Sequence, residues 1–172
     1  ILAVHAPLPR AVVPYAAGGA AALAWCRQQV RGTIDIDVNL FAAPGTARDL
    51  LTALPTEVAW SDADVALIER DGQARLWWGP TPVDVFTSTT PFHEQAATRV
   101  RWEDLGGQRL PFLDCDDLAV FKAFFNRTRD WADLEDMAAA GTLDVEAAAG
   151  VLVTYLGTDD ERLERLRSLG GT

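Results

Sequence analysis

Polar and apolar residues alternate without a break along residues 33–40 of the chain, which read Thr-Ile-Asp-Ile-Asp-Val-Asn-Leu. A period of two is typical of a strand with one buried face. It places Asp35 and Asp37 on the same face and the aliphatic side chains on the other. We therefore predict a strand over about residues 33–41 that carries two carboxylates roughly 6–7 Å apart.

The rest of the first two thirds of the chain alternates between strand and helix patterns. Shorter strands are predicted at 12–15, 82–87, 100–102 and 109–112, and helices at 20–29, 47–54 and 92–98. Residues 64–70 and 73–78 are predicted to form a hairpin across Asp71-Gly72, a pair that favours two-residue turns. These patterns predict a mixed sheet flanked by helices.

The chain changes character after Pro111. Four helical patterns follow one another, at 116–126, 129–140, 145–156 and 159–169. Gly141 and Gly157 stand where helix C-caps are expected. We predict an α/β (α+β) core over residues 1–113 and a helical segment over 114–172 that completes the site.

Composition narrows the class of protein. The chain has 172 residues, 49% of them hydrophobic, which is enough for one well-buried domain. A net charge of -10 argues against a large nucleic-acid-binding surface. No apolar run approaches the roughly 18–20 residues that a membrane span requires, so we expect no membrane partner.

The cysteine pattern predicts a reduced, cytoplasmic protein. Cys26 and Cys115 lie far apart and in different kinds of segment. Free buried thiols are therefore expected rather than a disulfide, and a cytoplasmic location follows as the default.

Three further features surround the Asp-Ile-Asp strand. Asp84 lies in the otherwise apolar stretch 82–86, where an acid needs a partner or a metal. If that strand lies beside 33–41, three carboxylates share one face and could hold Mg²⁺. Gly18-Gly19 precedes a helix, where backbone N–H groups favour phosphate. Lys122 is the only lysine among fifteen cationic side chains.

Each feature also has a plain structural interpretation. An isolated Asp-x-Asp on an exposed sheet face is more often a solubility feature than a metal site. A lone Gly-Gly is usually a turn, and Asp84 is equally compatible with a strand end. Lys122, on a mostly apolar helix, could simply extend to solvent. Only their combination and order favour a shared site.

In that combination the chain resembles the DNA polymerase β-like nucleotidyltransferase superfamily. The matching motifs are the Gly18-Gly19 turn, the Asp35-Ile36-Asp37 strand and Asp84 on a later strand. Within the superfamily it looks most like small bacterial nucleotidyltransferases related to AbiEii-type toxins of toxin–antitoxin systems. The similarity spans about residues 12–140. Gly19 departs from the pattern, since many members carry serine there.

The resemblance implies a Mg²⁺-dependent enzyme that moves a nucleoside monophosphate from an NTP to an acceptor hydroxyl. Asp35 and Asp37 would bind one or two Mg²⁺ ions, and Asp84 would be the third ligand or the general base. Lys122 would neutralise phosphate charge, and Asp133 or Asp130 would orient Lys122 or the substrate. Nucleotide contacts are implied for five further residues: Gly18, Gly19, Thr33, Arg31 and Arg129.

The acceptor and the activity stay open at this stage. The resemblance implies tRNA as a possible acceptor and an antitoxin protein as a possible partner, whereas the acidity of the chain disfavours tRNA. A transferase acting on a small molecule, such as an antibiotic, is the second hypothesis. A non-catalytic binding partner with the same fold is the third.

Overall fold

The protein is described from a computed structural model over residues 13–27 and 32–171. These residues form two compact units. The first contains residues 13–21 and 32–113, and the second contains residues 22–27 and 114–171.

The described part of the first unit contains a seven-stranded mixed sheet. Its strands are β1 (Tyr15–Ala17), β2 (Ile36–Leu40), β3 (Val58–Ala59), β4 (Gln73–Trp78), β5 (Thr81–Thr87), β6 (Arg101–Leu105) and β7 (Gln108–Phe112). They lie in the order β3-β4-β5-β2-β1-β7-β6. The β2–β5 and β1–β7 pairs are parallel, and the other neighbours are antiparallel. The predicted mixed sheet is confirmed.

Helices flank the sheet and make up most of the second unit. They are α1 (Gly19–Arg27), α2 (Ala47–Thr52), α3 (Asp62–Asp71), α4 (Pro91–Thr98), α5 (Cys115–Phe125), α6 (Thr128–Ala139), α7 (Val145–Leu156) and α8 (Glu161–Ser168). The four helices predicted after Pro111 are α5 to α8, so the helical segment is also confirmed.

One face of strand β2 packs in the hydrophobic core, and this packing determines which residues lie on its other face. Ile36, Val38 and Leu40 of β2 pack in a core that also contains Leu51 of α2 and Ile68 of α3. Because side chains alternate along a strand, this burial fixes the polar residues of β2 on the opposite face. The register that matters for the site is thus set by aliphatic packing.

The hairpin predicted across Asp71-Gly72 is wrong. Its first half is the helix α3, which begins after Ser61, where the Asp64 carboxylate accepts the Ser61 backbone N–H at 2.8 Å. Gly72 adopts a left-handed conformation with φ 73° and donates its N–H to the Ile68 carbonyl at 2.8 Å. The Asp-Gly pair therefore ends a helix instead of joining two strands.

The expectation of free thiols is also wrong. Cys26, on α1, and Cys115, the first residue of α5, form a disulfide with a Cα–Cα distance of 5.6 Å. Both residues belong to the second unit and are buried. The hypothesis of a cytoplasmic location rested on free thiols, so it loses that support. Among the described residues, no helix has both the length and the apolar character needed to cross a membrane.

Candidate active site

Two of the three predicted carboxylates lie side by side on adjacent strands. In the parallel β2–β5 pair, Asp37 is directly opposite Asp84. Asp35 comes just before β2, and its side chain is 19% exposed, close to the 16% of Asp84. Like charges directly opposite each other destabilise a sheet, so this pairing calls for a compensating cation.

Two glycines at the start of α1 make room for polar side chains of β2, Gly19 for Asp37 and Gly18 for Asn39. Gly19 has φ 49°, and a Cβ built on it would overlap the Asp37 carboxylate. A Cβ on Gly18 would come within 2.6 Å of the Asn39 amide nitrogen. The Gly18 backbone N–H also donates to the Asp37 carbonyl at 3.0 Å. The Gly-Gly turn is thus fitted to the acidic strand, and serine at position 19 would collide with it.

The compensating cation on the sheet is Arg75 of β4. Its Nε and Nη2 donate to the two oxygens of Asp84 at 2.7 and 2.6 Å. Its Nη2 also lies 3.9 Å from Oδ2 of Asp35. The hydrogen bonds to Asp84, and then its charge, raise the pKa of the Arg75 guanidinium. Arg75 therefore stays protonated and binds two of the three predicted metal ligands.

The other predicted nucleotide-binding residues have different surroundings. Thr33 is exposed, and its hydroxyl donates to the Asp35 carboxylate. Arg129 is exposed in the first turn of α6, in the second unit. Arg31 lies outside the described residues.

Lys122 lies in a buried ionic cluster of the second unit. Its Nζ is 2.7 Å from Oδ2 of Asp133 and 3.6 Å from Oδ1 of Asp130. Arg127 in turn pairs with Asp130 through Nε at 2.6 Å. Only 7% of Lys122 is exposed, so the alternative in which it extends to solvent is wrong. The structure brings Lys122 together with both aspartates that were predicted to orient it.

The donor chemistry of the three aspartates suits a hard divalent cation, because carboxylate oxygens are the ligands that Mg²⁺ prefers. Within residues 13–27 and 32–171, however, no group of three or more acidic, histidine or cysteine side chains is arranged to hold a metal ion. Asp84 is instead engaged by Arg75. The three carboxylates are therefore suitable ligands for Mg²⁺ by type, but in this structure Asp84 is paired with Arg75.

The sequence matches no family model and no curated protein. The structure is similar to that of the antibiotic-resistance factor ANT(2'')-Ia, with a TM-score of 0.56 and 14% identity over 97% of this chain and 85% of that one. An antigenic nucleotidyltransferase-like protein from Paracoccidioides brasiliensis matches with a TM-score of 0.46 and 14% identity, covering 93% of this chain and 87% of the other. The chain has a nucleotidyltransferase fold.

Within this nucleotidyltransferase fold, Arg75 is the residue that sequence reasoning missed. The signal was present in the strand pair β4–β5, which is joined across Gly79-Pro80 and places Arg75 opposite Asp84. Assigning the hairpin to Asp71-Gly72 hid this pairing. A hairpin centred on Gly79-Pro80 would have set the basic residue against the acidic one.

Proposed function

We propose that the protein is a nucleotidyltransferase that moves a nucleoside monophosphate from an NTP to an acceptor hydroxyl, with Mg²⁺ as cofactor. The observation that supports this best is the β2–β5 register, which sets Asp37 against Asp84 beside the Gly18-Gly19 turn. Carboxylates next to a glycine turn and a helix start are a suitable setting for a triphosphate and its cation.

Each residue of this site would act mainly by positioning. Backbone N–H groups at the start of α1 would bind phosphate oxygens beside the Asp37 carboxylate. Asp35, Asp37 and Asp84 would hold the cation, which supplies positive charge that offsets phosphate charge. The acceptor oxygen would bond to the α-phosphorus while the bond to pyrophosphate breaks, and the hydroxyl proton would pass to a nearby base.

Charge favours a small-molecule acceptor over tRNA. The chain carries a net charge of -10, and a polyanionic acceptor would be repelled at long range. ANT(2'')-Ia, which shares the fold, is itself an antibiotic-resistance factor. A tRNA acceptor, with the protein as an AbiEii-type toxin held by an antitoxin, is the rival hypothesis.

The deciding experiment is incubation with each labelled NTP and either total RNA or a panel of hydroxyl-bearing small molecules. Label on a small molecule would support the preferred acceptor, and label on RNA would support the toxin hypothesis. Asp37→Asn should abolish transfer, and so should Asp35→Asn. Asp62→Asn is the matched control, because Asp62, the first residue of α3, is exposed and pairs with Arg48 of α2.

A non-catalytic binding module is the remaining alternative. Calorimetry with Mg²⁺ and NTPs separates it from an enzyme, since a module without nucleotide function would bind neither. Retained transfer in Asp37→Asn would refute the assignment of that carboxylate. Binding of nucleotide without any transfer would point to a module that has kept its ligand.

A further inference from the structure

The row of residues Arg75, Asp84 and Asp37 runs straight across three neighbouring strands. Arg75 is opposite Asp84 in the antiparallel β4–β5 pair, and Asp84 is opposite Asp37 in the parallel β5–β2 pair. Directly opposed side chains on one sheet face interact with each other. The order on the sheet is therefore one cation followed by two anions.

The contact between Arg75 and Asp84 is a bidentate ion pair. Both carboxylate oxygens accept an N–H from the same guanidinium, at 2.7 and 2.6 Å. Paired bonds of this kind fix the plane of the carboxylate as well as its position. Since the second cationic contact runs to Asp35 at 3.9 Å, Arg75 partly neutralises two of the three acids in the predicted metal site.

We propose that Arg75 is a built-in competitor of the divalent cation, and that metal binding at Asp35, Asp37 and Asp84 requires Arg75 to release Asp84. This inference rests on the proposed function for the identity of the cation. A guanidinium and a metal ion bound to the same carboxylate repel each other. The two bonds from Arg75 also hold the Asp84 carboxylate in the plane of the guanidinium.

The exposure of Arg75 makes its release physically reasonable. Its side chain is 52% exposed, whereas that of Asp84 is 16% exposed. A guanidinium that leaves Asp84 can therefore be solvated without rearranging the core. The two core neighbours of Arg75 on β4, Ala74 and Leu76, point to the other face and hold the strand in place.

The test is metal affinity measured by calorimetry on the full chain, with Mg²⁺ or Mn²⁺ alone and no nucleotide. Arg75→Gln should bind the ion about three- to tenfold more tightly than the wild type, because the ion no longer has to displace a like charge from Asp84. Arg48→Gln is the matched control in the same unit, since Arg48 pairs with the exposed Asp62 at 2.8 Å. Its metal affinity should equal that of the wild type.

A second variant keeps the result interpretable. In an Asp84→Asn background, Arg75→Gln should change metal affinity much less than in the wild type, because the paired contact with the Asp84 carboxylate is gone and the 3.9 Å contact with Asp35 remains. Circular dichroism of each variant checks that it folds.

The outcomes separate this inference from the proposed function. Equal or weaker metal binding by Arg75→Gln, with clear binding by the wild type, would overturn the competition and leave the transferase proposal intact. No metal binding by either protein would overturn the competition and the proposed Mg²⁺ cofactor together. Absence of transfer by the wild type, together with tighter metal binding by Arg75→Gln, would count only against the transferase.

Discussion

Gly19 and Asp37 are in such close contact that a side chain at position 19 would meet the Asp37 carboxylate. Gly19 has φ 49°, a conformation that costs an L-residue with a side chain about 1–2 kcal/mol. Its missing Cβ is also the space that the Asp37 carboxylate fills. The sequence predicted a glycine turn suited to phosphate, and the structure adds a second reason for glycine, which is the approach of an acidic side chain.

Gly19→Ala should therefore lower the free energy of unfolding by at least about 1–2 kcal/mol, measured by urea denaturation. It should also abolish transfer, because Asp37 must move. Gly45→Ala is the control, since nothing lies within 4 Å of a Cβ at Gly45. Equal stability of the two variants would contradict the contact between Gly19 and Asp37.

Lys122 provides the second prediction at the residue scale. It is buried with Asp133 at 2.7 Å and Asp130 at 3.6 Å, so its removal leaves carboxylate charge in the interior. Lys122→Met should lower the free energy of unfolding by about 3–5 kcal/mol. Arg48→Met, which removes one partner of an exposed pair, should have little effect on the urea midpoint.

The Lys122 cluster also allows a separate test of its proposed catalytic role. Lys122→Arg keeps the charge but brings a larger, planar group into a buried site. If Lys122 neutralises phosphate charge, transfer should fall well below the fraction of protein that remains folded. Loss of activity in proportion to unfolding would assign Lys122 a purely structural role.

At the scale of elements, β2 and α3 show where sequence reasoning succeeded and where it failed. The alternation over residues 33–40 predicted the burial of Ile36, Val38 and Leu40 correctly, because a period of two fits a strand and not a helix. It placed the start of the strand too early, since β2 begins at Ile36 and Ile34 is 82% exposed. Residues 64–70 carry β-branched and polar residues whose spacing is ambiguous over so short a length. The deciding signals were local, namely the acid three residues after Ser61 and the glycine after Asp71.

The start of α3 gives a testable consequence. The backbone N–H and the hydroxyl of Ser61 both donate to the Asp64 carboxylate, at 2.8 and 2.7 Å. Asp64→Ala, which removes the acceptor of both bonds, should reduce the free energy of unfolding by about 1 kcal/mol, the usual net value of an intramolecular hydrogen bond. Thr56→Ala, at an exposed loop position, serves as the control in the same urea titration. Identical midpoints for the two variants would argue against a capped helix at this place.

At the scale of the whole molecule, the mixed sheet and the helical segment followed from pattern, whereas the disulfide did not. Strands and helices each have a characteristic spacing of apolar residues, and this spacing is visible in the sequence. Cys26 and Cys115 are separated by 89 residues, and no local pattern reports that the end of α1 meets the start of α5. The number and spacing of the cysteines alone were therefore not enough to predict a reduced, cytoplasmic protein.

The disulfide joins two segments of the second unit that are 89 residues apart in sequence, and this separation predicts its contribution to stability. Cross-linking over such a separation typically stabilises by about 2–5 kcal/mol, mainly by restricting the unfolded chain. Reduction with dithiothreitol should lower the free energy of unfolding, measured by urea denaturation, by this amount. The Cys26→Ser/Cys115→Ser double substitution should have the same effect. The double variant should then be insensitive to dithiothreitol, which makes it the control for the reductant.

Thiol titration tests this disulfide in solution. The wild type, oxidised with glutathione and then denatured without reductant, should show no titratable thiol, and two after reduction. Hydrogen exchange should show the loss of protection on reduction concentrated in α5 and in residues 22–27, since both cysteines lie in that unit. Two free thiols after oxidation would instead indicate a protein built to stay reduced, and would again favour a cytoplasmic location.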